Sequence, residues 1–193
     1  MNIDIAKLKE KVNGYKQVLE NTKNFRHRWK DKTRTFIEDT LRGIMEQTGL
    51  KATLTEKTNI ENLEAIVFDL GRTSSGLAEN FDADIKRIMV KHNGALIYQQ
   101  LFNGKIMVML VSPNIEGYGE AKTPLSLEIL RPEEVTAPAI YRHVKELLED
   151  ITEWEDYDDD DPKTKLPFQP IGFRHTLNAN GNDELEKSDT SRQ

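Results

Sequence analysis

The sequence contains no cysteine. That excludes a disulfide scaffold, a thiolate nucleophile and every zinc site built on cysteine sulfur. Long apolar runs are missing as well. The longest, Ile106 to Val111, falls far short of the roughly 20 residues a membrane-spanning helix needs, so no membrane insertion is expected. The four histidines, His27, His92, His143 and His175, are scattered, and no two share the i,i+3 or i,i+4 spacing that puts paired ligands on one helix face. The nucleophile elbow, the H-E-x-x-H helix, the phosphate-binding P-loop and the dinucleotide G-x-G-x-x-G are all absent. No catalytic residue, metal ligand or cofactor is therefore assigned. The segment Met1–Lys7 carries no apolar stretch of about 7–15 residues, so no secretory leader is expected and the cytoplasm is the expected compartment.

Apolar residues make up 37% of the 193-residue chain. Only eight of them fall in residues 155–193, so the body can bury a core and the tail cannot. The expected organisation is one α+β domain over 1–154, followed by an acidic linker and a largely flexible tail over 155–193.

Residues 3–48 read as helix. Ile5, Leu8, Val12, Tyr15 and Leu19 step by 3 and 4 in alternation, the narrow seam of a coiled coil. After Thr22 the phase changes. Phe25, Trp29, Phe36, Ile37, Leu41, Ile44 and Met45 then form the wider stripe of a helix lying on a core. Gly14 weakens the helix by about 1 kcal/mol, and the phase change near Asn21–Asn24 predicts a kink or a joint. Gly49 is placed to end the helix.

Residues 51–130 read as antiparallel sheet of five or six strands. Asn93-Gly94 and Asn103-Gly104 separate the β-favouring runs Ile85–Lys91, Ala95–Phe102 and Lys105–Ser112. Asn-Gly suits the type I′ turn, and two such turns predict a three-stranded meander. Leu63–Leu70, Lys51–Thr55 and Leu125–Leu130 supply further strands, and a bulge is expected near Lys86-Arg87. Ile140, Val144, Leu147, Ile151 and Trp154 predict a C-terminal helix capped by Thr136, with both helices on one face of the sheet.

Charge is unevenly spread. The chain carries −6 overall, yet residues 1–57 are basic and residues 133–161 strongly acidic. Lys23, Arg26, Arg28, Lys30, Lys32 and Arg34 crowd into twelve residues opposed only by Asp31, with Phe25 and Trp29 interleaved. This segment reads either as a phosphate-binding patch for nucleic acid or an acidic membrane surface, or as a solvated helix face whose aromatics point into a core. In a third reading the acidic stretch Trp154–Asp161 lies against it. Asp158–Asp161 lacks the spacing of a calcium loop.

Three further features are weighed. Arg72, Asp82, Asp84 and His92 would line a small-ligand or catalytic pocket between sheet and helices, the paired aspartates supplying acid–base chemistry. Gly71–Gly76 reads as a flexible connection or an anion-holding nest. His92 and His143 read as surface residues. Within the tail, Leu166, Phe168, Ile171 and Phe173 form an apolar island whose Pro167 and Pro170 exclude a regular helix, a docking segment for the chain's own body, a twin chain or another protein.

The preferred functional expectation is a non-enzymatic binding or adaptor protein acting through protein–protein contacts, as a homodimer. A nucleic-acid-associated protein using residues 23–34 is the first alternative. A small-ligand protein or enzyme is the second.

Overall fold

The computed structural model describes the backbone of residues 4–82 and 85–156, and the side chains of these residues apart from 81–85. The chain opens with helix α1, Ile5–Arg28, passes through a π-helical turn, Trp29–Thr33, and continues as α2, Arg34–Thr48. The rod is unbroken at Gly14 and at Asn21–Asn24. The expected joint lies farther on, at the π turn, where Arg34 N–H reaches back five residues to Trp29 O. The reason is periodicity. Trp29, Thr33, Ile37, Leu41 and Ile44 are buried, and steps of four drift around an α-helix of 3.6 residues per turn. One wider turn absorbs that drift and keeps the first three in line with the core. Gly49, at φ 73°, stops α2 and donates to Met45 O.

Among the described residues eight strands follow: β1 Thr53–Lys57, β2 Ala65–Asp69, β3 Arg72–Asp82, β4 Ile85–His92, β5 Ala95–Gln100, β6 Ile106–Val111, β7 Asn114–Ile115 and β8 Leu125–Leu130. A 3₁₀ turn, Pro132–Glu134, leads into α3, Ala137–Glu155. The fold is α+β, with one five-stranded antiparallel sheet in the order β1-β2-β5-β6-β8 and a second of three strands, β3-β4-β7. The strand after residue 85 therefore leaves the expected meander and pairs with β3.

The two sheets share one long ribbon. The register Ala65↔Gln99 through Asp69↔Ala95 resumes unchanged as Arg72↔His92. Between them Leu70 N–H donates to Gly94 O at 3.1 Å and Asn93 N–H to Gly71 O at 3.0 Å. Gly71 and Gly94, both at positive φ, carry the ribbon through its change of sheet. Asn93-Gly94 is thus a bend inside a paired strand. Register shifts fall between Ser74 and Ala78 and between Asn80 and Asp82; the second lies opposite Ile85–Lys86, beside the expected bulge, with the extra residue on β3. Arg72–Ser74 accordingly pair within a strand and Ser75–Gly76 fall in its first register shift, so β3 runs through the expected connection or nest.

Asn103-Gly104 does form a hairpin corner, of another kind. Leu101 N–H bonds Lys105 O and Gly104 N–H bonds Leu101 O, both at 2.8 Å. Gly104 alone takes positive φ. This is a three-residue loop with a glycine bulge, not a type I′ turn.

One face of the large sheet offers Ile66, Phe68, Leu96, Tyr98, Ile106, Val108 and Leu110 to Trp29, Ile37, Leu41, Ile44, Val135, Ile140, Val144 and Leu147 in a single apolar cluster. Both α2 and α3 lie on that face, as expected. The cluster also encloses Gln100, which is fully buried with neither amide atom hydrogen-bonded among the described residues.

Two outcomes follow. Gly104→Ala would set a Cβ 2.7 Å from Phe25 Cβ and 3.0 Å from Arg26 N at φ +78°; denaturant unfolding is expected to show a loss of about 1–3 kcal/mol. Gln100→Leu removes an unpaired buried amide and is expected to raise stability by about 1 kcal/mol or more in the same assay.

Candidate functional site

Each group of residues marked out by the sequence takes a definite place. Trp29 is fully buried and donates its indole N–H to Glu64 at 2.7 Å, so the basic segment wraps a core aromatic. Its charges are largely matched. Lys23 lies 3.8 Å from Glu20, Arg28 3.7 Å from Glu133, Lys30 2.9 Å from Glu61 and Arg34 3.2 Å from Glu56. Arg26 donates to the carbonyl of Phe102 at 2.6 Å. Among the described residues only Lys32 of the six makes neither an ion pair nor a hydrogen bond. The Lys30 hydrogen bond holds the Glu61 carboxyl below its ordinary range and Lys30 itself above. Three acids from other parts of the chain, Glu133, Glu61 and Glu56, thus hold cations that a phosphate ligand would need. Of the acidic stretch only Trp154–Asp156 lies among the described residues, and there Glu155 pairs with Lys91 on β4, beside Trp154.

The expected pocket of Arg72, Asp82, Asp84 and His92 does not assemble. Arg72 and His92 face each other across the base of the β3–β4 ribbon. Asp82 stands ten residues along the strand, about 30 Å away by strand rise, and Asp84 lies outside the described residues. His92 bonds Glu116 at 2.7 Å, and that contact lowers the Glu116 carboxyl. The apolar island Leu166, Phe168, Ile171 and Phe173 also lies outside the described residues. Among the described residues no cluster of three or more His, Asp or Glu is arranged to hold a metal, and no helix is long and apolar enough to cross a membrane.

His143 is not on the surface. It is 1% exposed, because it falls on the core stripe Ile140, His143, Val144, Leu147, at i, i+3, i+4 and i+7 of α3. That spacing is the signal that the expectation of a surface histidine overlooked. Its Nδ1 sits 2.9 Å from the hydroxyl of buried Tyr98, and its Nε2 contacts Glu128, which Arg142 also holds. Burial, reinforced by the Glu128 charge, pushes the Tyr98 hydroxyl far up, so it stays protonated and donates to Nδ1. Nε2–H then donates to Glu128. Burial pushes the Glu128 carboxyl up, but the hydrogen bonds from His143 and Arg142 and the Arg142 charge outweigh it and hold it below the ordinary range.

Tyrosine, histidine and carboxylate in series have the order of a nucleophile, base and orienting acid. Here the tyrosine end is sealed inside the core, with no exposed surface. The series pins α3 to β5 and β8; it has no access to a substrate.

What remains unengaged is α1. None of its residues is buried, and Ile5, Leu8, Val12, Tyr15 and Leu19 are each 43–64% exposed. Among the described residues α1 meets the body at its last turns, where Gly104 lies beside Thr22, Phe25 and Arg26, Arg26 bonds Phe102 O and Arg28 pairs with Glu133. The sequence phase change after Thr22 marks the boundary between the overhanging and the seated rod. No family model, no curated protein and no solved structure matches this chain.

Two measurements test the buried series. Tyr98→Phe is expected to cost about 1 kcal/mol, and His143→Ala about 2–5 kcal/mol because it strands Tyr98 and Glu128. Since the folded Glu128 value lies below the unfolded one, its contribution is complete above about pH 4.3 and is lost as pH falls through the folded value. Unfolding curves of the parent chain are expected to show this acid loss, and those of Glu128→Gln less of it.

Proposed function

We propose that the protein is a non-enzymatic docking module that acts through protein–protein contacts, with α1 as its reading surface. One observation carries the proposal: a coiled-coil seam of five apolar residues for which the described chain provides no cover. An isolated helix of this length is marginal in water, so a seam left bare favours a partner that covers it.

Charge indicates the partner. With Ile5, Val12 and Leu19 at the a positions and Leu8 and Tyr15 at the d positions, the flanking e positions are Lys9, Lys16 and Lys23, and one g position is Lys11. A second copy aligned in parallel would set Lys11 against Lys16. An antiparallel copy would set the e-position lysines against one another. Like charges on these flanks oppose pairing. An acidic amphipathic helix meets the seam with leucines and the lysines with glutamates. The stripe is also narrow, about two residues in seven, whereas a helix lying on lipid presents a broad apolar face. The binding reading therefore stands with an acidic helical partner in preference to the homodimer.

The test uses the full chain and a designed three-heptad peptide with Leu at its seam and Glu on both flanks. Titration is expected to show binding that weakens with salt. Val12→Asp with Tyr15→Asp is expected to fold normally and to weaken binding at least about tenfold, the loss that 1.4 kcal/mol represents. Equal binding of a Lys-flanked peptide overturns the proposal. So does a stable dimer of the chain alone in sedimentation at high micromolar concentration, or binding to anionic vesicles in place of the peptide.

A further inference from the structure

A second uncovered surface lies at the end of the rod opposite to α1. Between the end of α2 and the length of α3 runs an apolar groove of about 690 Å³. Ile44 and Val144 form its buried floor, Leu50 lies half-buried beside them, and Tyr141 and Leu148 stand open on its wall, 49% and 38% exposed. Its rim carries Lys145, Glu149 and Glu153, with Lys145 and Glu149 paired at 3.3 Å. We propose that this groove is the seat of the chain's own segment Leu166–Phe173.

Three observations support that occupant. The first is position. The groove follows α3 from Tyr141 to Glu153, and Glu153 is within one helical turn of Glu155, where α3 ends. The chain outside the described residues thus departs from the groove's mouth. Leu166 lies eleven steps along the chain from Glu155, a reach of about 36 Å if extended, so the island returns along α3 without strain.

The second is length. Tyr141 to Glu153 along a helix is about 18 Å. Leu166 to Phe173 in extended form spans about 23 Å. Pro167 and Pro170 favour that form and reduce the ordering entropy of seating.

The third is charge. Residues 163–175 carry Lys163, Lys165 and Arg174 and no acid. The groove's rim carries Glu149 and Glu153 against Lys145, which pairs with Glu149, so its net charge is negative. A basic-flanked apolar strand meets an apolar groove with a net negative rim. The acidic linker that connects them begins with Glu155 held by Lys91, away from the rim.

The absence of native cysteine allows a direct test in the full chain. Lys145→Cys on the rim and Gln169→Cys within the island place two unique thiols for a short bis-maleimide reagent. A tether of this length supplies roughly millimolar effective concentration even without seating, so the reading is a ratio. Adding Phe168→Ser with Phe173→Ser, or separately Leu148→Asp, is expected to slow intramolecular cross-linking about tenfold, the ratio that separates a seated segment from a freely tethered one. The Leu148→Asp chain is expected to keep its thermal unfolding midpoint, since that side chain is already open to water. Rates unchanged by either set of substitutions overturn the proposal. Cross-links that form between chains and rise with protein concentration overturn it too, and assign the groove to the tail of a second copy.

Discussion

The fold is governed by a mismatch of lengths. The rod from Ile5 to Thr48 is 44 residues, about 66 Å, while the strands it packs on are five or six residues long, about 20 Å. A five-stranded sheet is about 20 Å wide. No placement of that rod on that sheet can cover more than a part of it. The chain resolves the conflict by seating the half that contains Trp29, Ile37, Leu41 and Ile44 and letting the other half extend into solvent. The π turn and the contact of Phe25 with the Gly104 corner fix where the division falls. Everything else about the rod, its bare lysine-flanked seam included, follows from that division.

Within the body the same economy of surfaces holds. One sheet face takes α2 and α3, and the polar series Tyr98–His143–Glu128 sets the position of α3 within it. Such a series is costly if half satisfied and specific if complete. Here each hydrogen has an acceptor, so the histidine reads as a registration device between helix and sheet. The basic residues around Trp29 act similarly at the surface. Glu133, Glu61 and Glu56 come from three different parts of the chain, and each exposed pair adds only about 0–1 kcal/mol. Together they orient the rod more than they strengthen it.

Much of this was legible in the sequence. The two helices, their buried stripes and the strands carrying Ile66, Phe68, Leu96 and Val108 follow from periodicity alone. The seam and its break at Thr22 were visible as a change of phase. The errors have a common origin: local signals were read where long-range pairing decided. Asn93-Gly94 has the composition of a tight turn, but β3 is long enough to pair with β4 and hold that dipeptide inside a ladder. Gly71–Gly76 has the composition of a loop, yet Arg72–Ser74 within it are paired by the same ladder and its end forms the irregularity before Ala78. Asp82 and His92 are ten residues apart in sequence, yet a strand separates them by its full length. Only His143 was misread against a local signal, its place on the α3 stripe.

The shared register of the β2–β5 and β3–β4 pairs raises a question of error propagation. A slip of one residue in a ladder turns every side chain to the opposite face, and a slip in the arm would otherwise travel into Phe68 and Leu96. The irregularity between Ser74 and Ala78 interrupts that path: beyond it the pairing already runs in a different frame. The outer part of the arm can therefore gain or lose residues, or re-pair, while the frame that sets the core stays where Gly71 and Gly94 hold it. Variation in length among descendants of this chain has a tolerant address there, insulated from the interior by a defect in the ladder.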